Sequence, residues 1–394
     1  MGEQQNPLEV LSIDQLRERT SAKWQAFGPD VLPLWVAEMD VPLAEPVAQA
    51  LRRVVELGDT GYPQPQAYAE AFASFAGRRW GWQPQLSQIR AVPDVMRGVV
   101  EAIKIVGELT DTVIVSSPVY PPFYMYPVSA GRRVVEAPLG ADGRLDFEML
   151  EESFNLRTIG GQATYLLANP HNPTGTVHTR AELEQLAELA KQYGIRVVAD
   201  EIHAPLVHAG AEFTPYVSVD PRGYSVVSAS KAFNLAGLKA GLLVAGEDAA
   251  DELDQLPPEV AHGPSHVGVL THTAALAEGD AWLDALLAGL ESNRRLLGQL
   301  LEEHLPQVGF TAPEATYLAW LDFSAYGFDD DAPTPGVETP IHGPARLLLE
   351  KAQVALTAGH PFGEGGQRRA RLNFATSEAI LTEAVQRMGA ALER

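Results

Sequence analysis

The sequence predicts an α/β protein in which one large domain, built on a mostly parallel seven-stranded sheet, joins a smaller α+β domain at the C-terminal end. Three observations predict it. Between about Gln88 and Gly246, seven short apolar runs rich in β-branched residues recur: QIRAV, TVIVSS, RVVEAP, ATYLLA, RVVADE, SVVSAS and GLLVAG. Helical patterns such as Asp94–Leu109 and Arg180–Tyr193 separate several of them, which is the alternation of a parallel sheet covered on both faces. From about Trp282 the pattern changes to a long helix, Trp282–His304, then strands at TYLAWLDF and RRARLNFA and a closing helix from Ser377.

Taken in chain order, residues 1–42 carry Pro29, Pro33 and Pro42 around LWVAEMD and are too short for a domain, so they are expected to pack across the rest. Residues 43–281 make the large domain and 282–394 the small one, a division that fits 394 residues. Trp282, Leu283, Leu286, Leu287 and Leu290 follow helical spacing and are read as core. The tract Asp329–His342, rich in Asp, Pro, Thr and Gly, is read as a loop.

Composition excludes several functions. With 51 acidic and 29 basic side chains the formal charge is −22, which repels phosphate backbones and anionic membranes but leaves room for one local cationic pocket. Nucleic acid and membrane are therefore not expected partners. Cysteine is absent, so disulfides, thiolate nucleophiles, Cys-ligated zinc and iron–sulfur clusters are excluded. The first twenty residues lack a basic start followed by an apolar stretch, and a cytoplasmic location is the default expectation. The uncharged stretch Thr112–Gly131 contains Pro118, Pro121, Pro122 and Pro127 and cannot be a spanning helix.

Ligands of parallel sheets bind beyond the carboxyl ends of strands, and those positions are unusually polar here. Lys231 follows the apparent strand Ser225–Ser230; there its ammonium either reaches solvent or loses its proton more easily and becomes a nucleophile or base. Asp200 ends the run VVAD, where it caps a turn or serves a ligand. NPHNPTG would present Asn169 and Asn172 rigidly, and Tyr120 in PVYPPF could cover a flat ligand or simply pack. No GxGxxG, GxxxxGK[ST] or HExxH occurs. His262 and His266 are four apart, but Gly263 and Pro264 between them argue against one helix, so no metal site is expected.

In their order along the chain, WVAEMD, PVYPPF, NPHNPTG, DEIH, SKAFNLAGLK and RLNFA resemble the MalY/PatB family of pyridoxal phosphate-dependent carbon–sulfur β-lyases, on the fold-type I aminotransferase scaffold. The resemblance covers nearly the whole chain. It implies that Lys231 holds pyridoxal 5'-phosphate as a Schiff base and that Asp200 pairs with the ring nitrogen. It further implies that Tyr120 stacks on the ring, while Asn172 and His203 face its 3-oxygen. The phosphate would be held by the backbone amides of Val95 and Met96 with Ser228, Ser230 and Lys239. Tyr62, in TGYPQP, would reach the phosphate of a neighbouring subunit, which implies a homodimer with a shared active site. Arg371 would grip the α-carboxylate of a small amino-acid substrate, with Tyr120 and Asn172 beside it. The implied activity is cleavage of cystathionine or a related cysteine S-conjugate to a thiol, pyruvate and ammonia, in methionine and amino-acid metabolism. An aminotransferase on the same fold is the rival, and a regulatory binding protein is a third reading. Val41 and His178 depart from the family pattern and could alter the pocket and its leaving-group preference.

Overall fold

The computed structural model describes residues 5–107, 111–156, 162–328 and 341–393. A two-residue strand, β1 (Leu32–Pro33), comes first. All seven expected strands follow: β2 (Ile89–Val92), β3 (Thr112–Val115), β4 (Arg133–Glu136), β5 (Ala163–Ala168), β6 (Arg196–Asp200), β7 (Tyr224–Val227) and β8 (Gly241–Ala245). They form one sheet in the order β2-β8-β7-β6-β5-β3-β4, in which β8 alone runs antiparallel to its neighbours. This is the fold-type I architecture.

The strands are apolar throughout because both faces are covered. Val113, Val115, Leu166, Val198 and Val226 pack on one side. Ile114, Tyr165, Leu167, Val197 and Ala199 pack on the other. Helix Val95–Val106 lies on the first side, and Gly98 lets it approach closely: a Cβ there would meet a Val226 methyl at 2.6 Å. Helix Arg180–Gln192 starts at a capping box made by Thr179 and Glu182.

One boundary differs in a way that matters. The run expected to extend to Ser230 stops at Val227, because the Ser228 hydroxyl donates to the Ala240 carbonyl at 2.7 Å and accepts from the Ser230 amide at 3.1 Å. Side-chain bonding of this kind diverts the backbone from the ladder. Lys231 thus stands on a turn, four residues past the strand.

Helix Asp280–His304 carries the expected apolar stripe to a second sheet. That sheet contains β9 (Gly309–Phe310) and β10 (Leu318–Asp322), followed in the chain by β11 (Val354–Ala355), β12 (Thr357–Ala358) and β13 (Arg369–Asn373). β12, β13, β10 and β9 pair antiparallel in that order, while β11 pairs with β1. Ser377 caps the closing helix Glu378–Leu392. Residues 329–340 of the tract read as a loop lie outside the described residues, as do 108–110 at the expected end of the helix that starts at Asp94.

The N-terminal residues are tied to both sheets' neighbourhoods. The Arg19 guanidinium donates to the Met39 and Val41 carbonyls, and Lys23 forms a fully buried ion pair with Asp40 at 2.8 Å. Met39 and Asn234 exchange two hydrogen bonds, and the Asp40 amide donates to the Ala375 carbonyl. Arg369 pairs with Asp322 at 2.9 Å. No helix among the described residues is long and apolar enough to cross a membrane.

Candidate active site

The carboxyl ends of β5, β6 and β7 open into a cleft of about 170 Å³. Ten of the twelve residues to which the resemblance gives a site role line it: Val95, Met96, Tyr120, Asn172, Asp200, His203, Ser228, Ser230, Lys231 and Lys239.

On the floor, Asp200 is the last residue of β6 and is buried. Burial pushes its carboxyl up to about 7, opposed by the hydrogen bond it accepts from the Ile202 amide at 3.0 Å and by the charge of Lys231. Lys231 donates from Nζ to the Ala37 carbonyl at 2.9 Å. Burial pulls its ammonium down to about 8, helped by the Arg371 charge and resisted by Asp200 and Glu38. His203 is buried and held neutral, its value lowered to about 3 by burial and by the charges of Lys231 and Arg371. Its Nδ1 has no hydrogen-bond partner, and its ring stands edge-on to Tyr317 at 6.1 Å.

Two segments wall the cleft. The Tyr120 amide donates to the Asn172 carbonyl at 3.0 Å, locking PVYPPF to NPHNPTG. Burial raises the Tyr120 phenol. The Asn172 turn is tight at Gly175, whose φ is +74° and where a Cβ would sit 2.3 Å from the Pro313 side chain.

Arg371, on β13, does not line the cleft itself but stands directly behind Asn172. Its guanidinium donates to Asn172 Oδ1 at 2.9 Å, and to the Trp35 carbonyl and Thr357 Oγ1 at 3.4 Å. It is buried over the Phe362 ring. Desolvation lowers it to about 10, opposed by Tyr120 and Tyr317, and it stays cationic at neutral pH.

At the opposite end, Val95 and Met96 open helix Val95–Val106, whose first amides have no intrahelical acceptor. Ser228, Ser230 and Lys239 face the same corner. Tyr62 is 87% exposed and takes no part in its own chain's cleft.

Neither family departure lines the cleft. Val41 is buried and its carbonyl accepts from Arg19 at 2.6 Å. His178 is fully buried behind the NPHNPTG turn, 6.2 Å from His171, with no hydrogen bond at either ring nitrogen. His262 and His266 belong to separate helices or their ends, as expected from Gly263 and Pro264.

Sequence reasoning missed Ala37, whose carbonyl also accepts from the Tyr317 hydroxyl at 3.1 Å, and Asp94, the N-cap of the helix that Val95 and Met96 open. An acidic residue just before VMRGVVEAI is a readable capping signal. Nothing in the local sequence marks a backbone carbonyl.

The family model for class I and II aminotransferases matches residues 29–388. The chain belongs to this family. It is 54% identical to a Mycobacterium leprae protein provisionally named a cystathionine beta-lyase, over 98% of both chains. It is 34% identical to the cystathionine beta-lyase PatB of Bacillus subtilis, over 97% of this chain and all of that one. The solved structure of the PLP-bound C-S lyase from Staphylococcus hominis superposes with a TM-score of 0.86 at 26% identity, covering 98% of each chain. Within the family the chain is therefore of the MalY/PatB type.

Proposed function

We propose that the protein is a pyridoxal phosphate-dependent carbon–sulfur β-lyase that cleaves cystathionine or a related cysteine S-conjugate to a thiol, pyruvate and ammonia. The observation that carries the reading is one cleft holding a half-buried lysine lowered to about 8, a carboxylate at the end of the neighbouring strand, and a buried arginine behind its wall. The donor set fits the cofactor: an amine easily made neutral for covalent attachment, a carboxylate for a ring nitrogen, and an unpartnered His203 Nδ1 beside them.

Lys231 is the residue to hold the cofactor, with Asp200 toward its ring nitrogen, Tyr120 over its face, and Asn172 and His203 toward its ring oxygen. A cationic nitrogen against Asp200 would favour the ionised carboxylate that burial alone disfavours. The Val95 and Met96 amides, Ser228, Ser230 and Lys239 supply donors for its phosphate. When bound, the cofactor supplies an electron sink for the charge left on the substrate α-carbon.

The chain's own residues do the rest. Arg371 fixes the substrate carboxylate by charge-assisted hydrogen bonds, which Asn172 Oδ1 helps to aim. Lys231, freed once the substrate is attached, takes the α-proton at Nζ; its lowered affinity for protons keeps a useful fraction neutral near pH 8. Loss of the β-thiolate follows, and the lysine proton is available to the leaving sulfur.

The exposed Tyr62 supports a homodimer in which this phenol serves the neighbour's phosphate. In this reading residues 43–281 carry the cofactor, residues 282–394 supply Arg371, and the enzyme works in the cytoplasm.

The test is incubation with cystathionine. Sustained release of pyruvate and thiol without any keto acid is the expected result. Arrest after a single turnover, relieved only by a keto acid, would establish an aminotransferase instead.

A further inference from the structure

We infer that Asp94 weakens the cleft's hold on the cofactor phosphate by competing with it for Lys239. This inference rests on the pyridoxal phosphate reading above. Asp94 caps helix Val95–Val106: Oδ1 accepts from the Arg97 amide at 2.9 Å, and Oδ2 lies 3.3 Å from Lys239 Nζ. Both side chains line the cleft at the end where Val95 and Met96 present their amides. The corner is rigid. A Cβ on Gly241, at the start of β8, would lie 3.2 Å from the Asp94 carbonyl carbon and 3.3 Å from the Val95 nitrogen, so strand and helix end are packed flush. The Asp94 carboxylate has no room to be carried away by a shift of the helix.

The charges at this corner decide the sign. Arg97 does not line the cleft and pairs with Glu101 at 2.8 Å, so among the described residues Lys239 is the cation lining the cleft beside Val95 and Met96, already matched by Asp94. A phosphate monoester brings about two negative charges near neutral pH. It would face one ammonium, the helix amides and a carboxylate of its own sign. Asp94 also pre-orients Lys239, which favours binding. That gain is small, because Lys239 is 61% exposed and an exposed ion pair orders its side chain weakly. Repulsion between like charges at a partly buried corner is the larger effect.

Asp94→Asn keeps a capping side chain and removes the charge, and Asp94→Ser is a second capping variant should the first fold poorly. The full-length holoenzyme is dialysed against inorganic phosphate, and the stripped protein is then titrated with pyridoxal phosphate, following visible absorption. The expected result is a dissociation constant lowered roughly tenfold in both variants, with slower loss on dialysis. Lys239→Met should weaken binding more in the Asp94→Asn background than in the parent, because only there is the ammonium free for the phosphate. Unchanged or weaker binding in both variants, at parental melting temperature, overturns the inference. If the parent itself takes up no pyridoxal phosphate, the cofactor reading fails, and Asp94 is judged by inorganic phosphate alone: its thermal stabilisation of the protein must still grow in Asp94→Asn, and a constant shift refutes the role.

Discussion

On the floor of the cleft, Asp200 and Lys231 are charged groups with one hydrogen bond each, displaced by burial toward neutrality at about 7 and about 8. On the roof, Arg371 is just as deeply placed but meets three acceptors and remains a cation. Only its Nε lacks a partner. The carbonyls of the ribbon Trp35–Met39 all accept. The Asn373 amide donates to the Val36 and Glu38 carbonyls at 2.7 and 2.6 Å, and Lys23 donates to the Glu38 carbonyl at 3.1 Å. The contrast separates two uses of buried polarity. Groups left short of partners are poised to exchange protons and take a ligand, whereas satisfied groups set geometry.

Breaking the floor should cost the most. Lys231→Ala is expected to abolish the borohydride-fixable attachment of pyridoxal phosphate and to lower turnover by about 10³-fold or more. Fixation of the cofactor on another lysine in that variant would remove Lys231 from the mechanism. Asp200→Ala should keep some cofactor, detectable by absorption, but lose roughly 10²–10³ in kcat, since it withdraws the electrostatic support of the ring. A near-parental kcat would mean the nitrogen's partner lies elsewhere.

Breaking the roof should act on binding. Arg371→Ala removes hydrogen bonds to a charged group of ~1.5–3 kcal/mol, so KM for amino-acid substrates should rise about 10- to 150-fold with cofactor absorption retained. If amines lacking the carboxylate already serve the parent enzyme as well as amino acids do, Arg371 has another task. Asn373→Ala removes two hydrogen bonds to the ribbon and leaves the buried Ala375 amide without its acceptor, and should appear mainly as a lower melting temperature, about 2–3 kcal/mol of stability, with kcat/KM falling less than in the Arg371 variant.

The smallest effect is a pH signature of the cofactor-free protein. Asp200 holds its proton up to about 7 when folded, against an ordinary 3.8, so stability falls as pH climbs between those values. Lys231 releases its proton at about 8 instead of 10.5, so stability recovers from pH 8 upward. In urea unfolding, the advantage of Asp200→Asn over the parent should open between pH 3.8 and 7, and that of Lys231→Met should close between 8 and 10.5. Parallel curves would show that the floor charges are better solvated than their burial implies.

The floor was legible in the sequence, because a parallel sheet puts function at strand ends and strand ends are visible as breaks in apolar runs. Asp200, Asn172 and Tyr120 were found that way, and the resemblance of DEIH, NPHNPTG and PVYPPF assigned them roles. The misplaced boundary at Val227 came from a serine that bonds to the backbone twelve residues on.

What the sequence determined alone was the α/β class, the seven strands, the polar residues beyond them, and the absence of any thiol chemistry. Tertiary structure alone decided which backbone carbonyls meet those residues, that Arg371 stands behind Asn172, and that Asp94 shares a corner with Lys239. The physical reason is range. Periodicity and capping are set by neighbours within a few turns of chain, but Lys231 meets Ala37 across 194 residues and Arg371 meets Trp35 across 336. Carbonyls are common to every residue, so only the folded path reveals which of them a buried cation will find.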